Sequence, residues 1–147
     1  MQDVTVASEP LAGAASLRGP TASVLTVGIA VFAVLQLSLA LLMAVAPHAF
    51  YTAVGPFGIY NGHYIRDLAT FYAATGVGLL LAIRRISWRV PMLALMTIQY
   101  ALHSLNHLLD IGNAHPAWNG YFDFFSLVAA SVLLAWLWRR AALEART

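Results

Sequence analysis

The chain has 147 residues, of which 61% are hydrophobic and 10% charged, with no cysteine and a formal net charge of +2. Soluble domains carry about 25% charged residues, so this composition cannot clothe a water-soluble surface and makes the bilayer the solvent for most of the chain. The lack of Cys excludes disulfides, thiolate ligands and cysteine nucleophiles, and the absence of a basic stripe excludes a nucleic-acid partner.

Residues 1–20 are small, polar and punctuated by Pro and Gly, with Asp3, Glu9 and Arg18, and read as a flexible cytoplasmic tail. The first apolar run, 21–46, is uncharged and exceeds the ~20 residues a spanning helix needs. Ala44-Val45-Ala46 has the small-residue pattern of a signal-peptidase site, but the run before it is longer than the ~7–15 residues of a signal-peptide core. The segment 47–62 is rich in Gly, Pro and aromatic residues (Phe50, Tyr51, Phe57, Tyr60) and is expected to lie along the membrane interface. Asn61 is an N-cap candidate for the second run, 65–83, which ends at Arg84-Arg85. The third run covers 90–109 and the fourth 121–138, followed by a short tail over 141–147. Backbone groups in lipid must be paired within the segment, so each run is predicted to be a helix. The expected fold is an all-α integral membrane four-helix bundle, one transmembrane domain over 21–140. The short turn at Ile86-Ser87 predicts that the second and third helices pack as antiparallel neighbours. No internal repeat supports an inverted-repeat transporter.

Arginine placement orients the bundle. With the N-terminus inside, Arg18, Arg84, Arg85, Arg89, Arg139, Arg140 and Arg146 fall on the cytoplasmic side and Arg66 alone outside, with no Lys in the chain. That bias follows the positive-inside rule and puts both termini in the cytoplasm. Trp88, Trp136 and Trp138 then mark the inner interface, and Trp118 and Tyr121 the outer one.

The same topology places all five histidines (His48, His63, His103, His107, His115) and Asp67, Asp110 and Asp123 at the outer side. His63 and Asp67 are four apart on one helical face, with Thr70 a turn deeper, while Arg66 points away towards another helix or the headgroups. On the third run, Gln99, His103, Asn106 and Asp110 recur at helical spacing, with His107 beside them. A polar stripe at such depth must face other helices or water. The predicted binding pocket therefore comprises His63, Arg66, Asp67, His103, Asn106, His107 and Asp110. Gln36 and Ser126 are further candidates for the bundle interior.

Three chemistries fit this set. In a divalent-metal site, His103 and His107 at i and i+4 share a face, and His63, Asp67 and Asp110 complete the ligands. In a haem site, His63 and either His103 or His107 ligate the iron, and Arg66 meets a propionate. The third is a hydrogen-bonded lock: Arg66 with Asp110 or Asp67, and His103 with Gln36 or Tyr100. Such bonds average about 0.6 kcal/mol in membranes and fix geometry more than they stabilise. Individually, His48 and His115 read as interfacial loop residues, Tyr60, Tyr64 and Tyr121 as belt residues, and Gly76 and Gly78 as close-packing positions. Asp123 reads as an anion at a helix N-terminus.

The stretch Pro47-His48-Ala49-Phe50-Tyr51, then Tyr60-Asn61-Gly62-His63-Tyr64-Ile65-Arg66-Asp67, then His103-Ser104-Leu105-Asn106-His107 resembles a group of small bacterial four-helix membrane proteins. That group carries P-x-x-F-Y, Y-N-x-H-x-x-R-D and paired-His motifs. A looser likeness to the DoxX-like proteins rests on helix count and size. The resemblance covers residues 25–140 and implies fold and placement. The expectation is a multi-pass protein of a bacterial inner membrane with a polar pocket at its extracytoplasmic side, acting as a binding or accessory protein. A metal- or haem-dependent membrane enzyme or redox protein is the alternative. The bilayer is the expected partner, with a homo-oligomer or larger membrane assembly left open.

Overall fold

The computed structural model describes residues 20–146. It consists of helices α1 (Pro20–Val45), α2 (Pro47–Ala53), α3 (Gly62–Arg84), α4 (Arg89–Leu109) and α5 (Ala117–Glu144), with a 3-10 turn, Ile86–Trp88, between α3 and α4. The tail expected over 1–20 lies outside the described residues except for Pro20. Among the described residues there is no strand, only an isolated antiparallel bridge between Phe57 and Ala114.

Local chemistry sets the helix ends. Pro47 stops α1, because its ring clashes with a continuing turn, and it then opens α2 as a first-turn proline. The interfacial segment 47–62 therefore contains a short helix that its aromatic, Gly-rich composition did not announce. Gly58 lies beyond it with φ of 61°, in the left-handed region that glycine enters without steric cost. The Asn61 side chain accepts from the backbone N–H of His63 at 3.1 Å and Tyr64 at 3.2 Å, so α3 starts at Gly62, ahead of the predicted 65. Replacing Asn61 by Ala is expected to cost about 1 kcal/mol, and by Asp much less. Thermal unfolding followed by circular dichroism in detergent measures the difference. Helix α5 overruns its predicted bounds at both ends. Arg140 lies over the Trp136 ring, 5.3 Å from its centroid.

Three helices are long and apolar enough to cross a membrane: α1 over Val24–Val45, α3, and α5, with mean hydropathies of 2.4, 1.2 and 1.6. The 21 residues of α4 have the length, but Gln99, His103, Asn106 and His107 dilute its hydropathy. The outward faces are apolar. Val27, Val31, Val34 and Leu41 on α1, Val77 and Leu80 on α3, and Phe125 and Val132 on α5 are all exposed. Faces of this kind are stable against hydrocarbon and costly against water.

Packing is closest between α1 and α3 and between α4 and α5. At one end all four long helices share a core of Leu25, Ile29, Phe32, Leu79, Met96, Leu134 and Leu137. Gly76 and Gly78 allow this approach. A Cβ on Gly76 would lie 2.7 Å from Leu37, and one on Gly78 2.6 Å from Met92. Towards the other end a smaller cluster of Ala40, Met43, Ala69 and Tyr72, backed by Phe50, joins only α1, α2 and α3. The predicted neighbours α3 and α4 are joined by their turn yet share a sparser seam than either close pair. The side-chain volumes on α1 and α5, more than the connection, set which helices pair.

Gln36 is fully buried between three helices. Its Nε2 donates to Thr75 Oγ1 at 3.0 Å and its Oε1 accepts from Tyr100 Oη at 3.2 Å. The lock expected between His103 and Gln36 or Tyr100 is thus replaced by an α1–α3–α4 junction that leaves His103 out. The beginning of α1, the α3–α4 turn and the end of α5 meet around Arg89, which touches Thr26, Ala82, Ile83 and Glu144. The α2–α3 and α4–α5 loops meet at the opposite end, where His115 N–H donates to Pro56 O at 3.4 Å.

Candidate functional site

The polar end is built on the last turns of α4. Its i, i+4 spacing stacks His103 and His107, with ring centroids 4.8 Å apart and Nε2 atoms 3.0 Å apart. One turn deeper, Gln99 Nε2 lies 3.4 Å from His103 Nδ1. The continuous stripe is therefore Gln99–His103–His107. Asn106, predicted to lie on it, is exposed.

Two other elements enclose this stripe. Phe57, from the loop after α2, sets its ring edge-to-face on His107 at 4.9 Å between centroids. It is held there by the Phe57–Ala114 bridge. Asp123 on α5 is in electrostatic range of His107, as is Asp110. Asp123 was expected as an anion in a first helical turn. Because α5 begins at Ala117, it sits beyond that turn, where the dipole effect has faded, and it faces α4 instead.

Three atoms here are buried without a hydrogen-bond partner: His107 Nδ1, Asp123 Oδ2 and Gln99 Oε1. Buried polar atoms are paired in the great majority of cases, and an unpaired one costs about 1–3 kcal/mol. Beside them Phe57, Asn106, His107 and Asp110 line a cavity of about 170 Å³. A wider depression of about 470 Å³ adjoins it, lined by Phe57, Gly58, Asp110, Asn113 and His115.

The other predicted site residues stand apart. His63 Nε2 pairs with Asp67 Oδ2 at 3.3 Å, with both side chains mostly solvent-accessible on α3. Arg66 is exposed and makes no ion pair among the described residues, and Asp110 accepts from Asn113 Nδ2 at 2.8 Å. The expected Arg66 bonds to Asp67 or Asp110 are not formed. No hydrogen bond, ion pair or ring contact joins His63 or Asp67 to the α4 histidines, and no three His, Asp or Glu among the described residues form a metal-holding group. The outer turns of α3 pack on α1, which turns His63 and Asp67 away from α4. Ser126, a candidate for the interior, is exposed, and Ser131 takes that place, 3.3 Å from Ser104.

Sequence reasoning missed Phe57 and misread Asp123. No local signal marks Phe57, because a long-range bridge brings it in. Helical spacing marks Asp123, which shares a face of α5 with the core residues Leu127, Leu134, Leu137 and Ala141.

No family model, curated protein or solved structure matches the chain.

Proposed function

We propose that the chain is a four-span membrane protein with cytoplasmic ends, and that it binds a small polar or ionic ligand at its extracytoplasmic end. The observation that carries this reading is the His103–His107 pair. It lies beside a cavity, it is covered by an aromatic side chain from a distant loop, and unpartnered polar atoms surround it. Buried polar atoms without a protein partner are satisfied by a water, an ion or a ligand, which supports a polar binding site at this end.

The fourth span is α4. Leu95, Ile98, Leu102, Leu105 and Leu109 form an exposed apolar column on it, while Tyr100 and Ser104 are buried and His103 and His107 partly so. This inverted amphipathicity suits a helix with lipid outside and a polar seam inside. The arginine bias supports placing the Arg89 end in the cytoplasm of a bacterium and the histidine end outside its inner membrane. A binding or accessory role follows, alone or within a larger membrane assembly. A metal-dependent membrane enzyme or redox protein is the second reading, favoured by the close approach of two ring nitrogens. Haem is not favoured, because two histidines adjacent on one helix cannot take opposite faces of the ring and His63 pairs with Asp67 instead.

The chain has no cysteine, which makes it a clean background for single-cysteine mapping. Ser87 and Gly112 are exposed and flank α4 alone. In intact cells, Gly112→Cys is expected to react with a membrane-impermeant maleimide, and Ser87→Cys only after permeabilisation. Labelling of both from one side would remove α4 as a span, and the reverse pattern would overturn the orientation.

A further inference from the structure

We propose that His103 and His107 chelate one late first-row divalent cation, of the copper(II) type, through their Nε2 atoms. This deepens the reading of the histidine end as a binding site by naming its ligand, and it rests on that reading.

The spacing carries the assignment. Imidazole nitrogens sit about 2.0–2.1 Å from such an ion. The separation here, 3.0 Å, is close to the roughly 2.9–3.4 Å that neighbouring nitrogen ligands of one such ion keep by that distance. Two nitrogen donors completed by oxygen donors suit copper(II) and nickel(II), and copper(II) stands highest in the affinity order of the first-row divalent ions. The i, i+4 relation puts both rings on one face of α4, so the two donors are neighbours before a metal arrives.

The surroundings supply what metal-bound imidazoles require. Such a ring donates its other N–H to a carboxylate or carbonyl, which fixes its tautomer and orientation. His107 Nδ1 and Asp123 Oδ2 are both buried and in electrostatic range, and neither is hydrogen-bonded here, to the other or elsewhere, so each is left to pair when the metal binds. His103 Nδ1 faces the amide of Gln99. A half-turn of that amide brings Oε1 to the ring, where it accepts Nδ1–H and leaves Nε2 bare for the ion. Gln99 and Asp123 are thus positioning residues and the two histidines the ligands. No third His, Asp or Glu among the described residues joins them, so the remaining coordination positions are filled by water or an external donor, for which the 170 Å³ cavity lined by His107 gives room. This set replaces the five-residue one expected from sequence, with His63 and Asp67 left out.

Without a metal, the same two atoms share a single N–H···N hydrogen bond, and binding distinguishes the two states. Tag-free protein in detergent is titrated with copper(II), followed by calorimetry and electron paramagnetic resonance. One equivalent is expected, with an axial spectrum showing two imidazole nitrogens. His103→Gln and His107→Gln each remove the two-nitrogen spectrum, while His63→Ala and His48→Ala leave it intact. Asp123→Asn weakens binding by roughly 10–100-fold, the usual effect of losing an orienting partner. Helical circular dichroism of each variant reports that it has folded. The proposal is overturned if wild-type protein binds no copper, if folded His103→Gln and His107→Gln variants bind as wild type does, or if His63→Ala abolishes the signal. Maleimide labelling of Gly112→Cys and Ser87→Cys needs no metal, so loss of the metal assignment and loss of the topology are separately visible.

Discussion

Gly120→Ala is expected to destabilise the protein by about 3 kcal/mol or more, although alanine is the better helix former by about 1 kcal/mol. Gly120 is buried in the first turns of α5, and a Cβ there would run into the carbonyl oxygen of Ile111. The obstacle is backbone. Relief therefore requires the loop from Asp110 to Pro116 to move, and with it the Phe57–Ala114 bridge that covers the histidine pair. Overpacking costs of about 1–3 kcal/mol are usual where side chains can give way, and a fixed carbonyl puts this site at or above the top of that range. Gly112 in the same loop is the control, since a Cβ there meets nothing within 4 Å. Gly112→Ala should stay within about 0.5 kcal/mol of wild type. Chemical unfolding in mixed micelles, followed by tryptophan fluorescence, compares the two, and equal midpoints would show that α5 does not enter against the α4–α5 loop as described.

Arg89→Met is expected to cost about 2–3 kcal/mol, placed between the ~0–1 kcal/mol of exposed ion pairs and the ~3–5 kcal/mol of breaking buried ones. The Arg89 side chain is 12% exposed and its partner Glu144 32%, at an N···O separation of 3.7 Å. Its Nε donates to Ala82 O at 3.2 Å and its Nη2 to Ile83 O at 3.5 Å, so it also satisfies the last carbonyls of α3. The same Nη2 reaches Thr26 Oγ1 on α1 at 3.4 Å. One guanidinium thus gathers the ends of four helices, and Met fills the space without any of its donors. Adding Glu144→Gln should recover part of the loss, because the carboxylate that faced the guanidinium is then neutral. An additive double mutant would show that the pair carries no coupling. Arg84→Met, at an exposed position, should change stability by less than about 0.5 kcal/mol.

Much of the architecture was legible because the bilayer leaves the chain few choices. An apolar run that satisfies its own backbone bonds is a helix, so α1, α3, α4 and α5 were found, three of them within about three residues at each end. Asn61 was readable as a cap because the hydrogen bonds it makes are local. The His103–His107 contact was readable for the same reason, since four residues of helix bring the two rings together wherever the helix lies. The sequence by itself therefore determined the helical segments, the concentration of histidines at one end and the pairing of His63 with Asp67 as well as of His103 with His107.

Which pairs meet was a tertiary decision. Residues such as Ala40, Ala69 and Gly76 let α3 settle on α1, and that packing turned His63 and Asp67 outward. The packing of α5 on α4 set Asp123 near His107, and a bridge between two loops laid Phe57 over the ring. None of these follows from spacing along one helix, because each depends on how side-chain volumes on different helices fit together. Helical periodicity says which residues share a face, and close packing alone decides what that face meets.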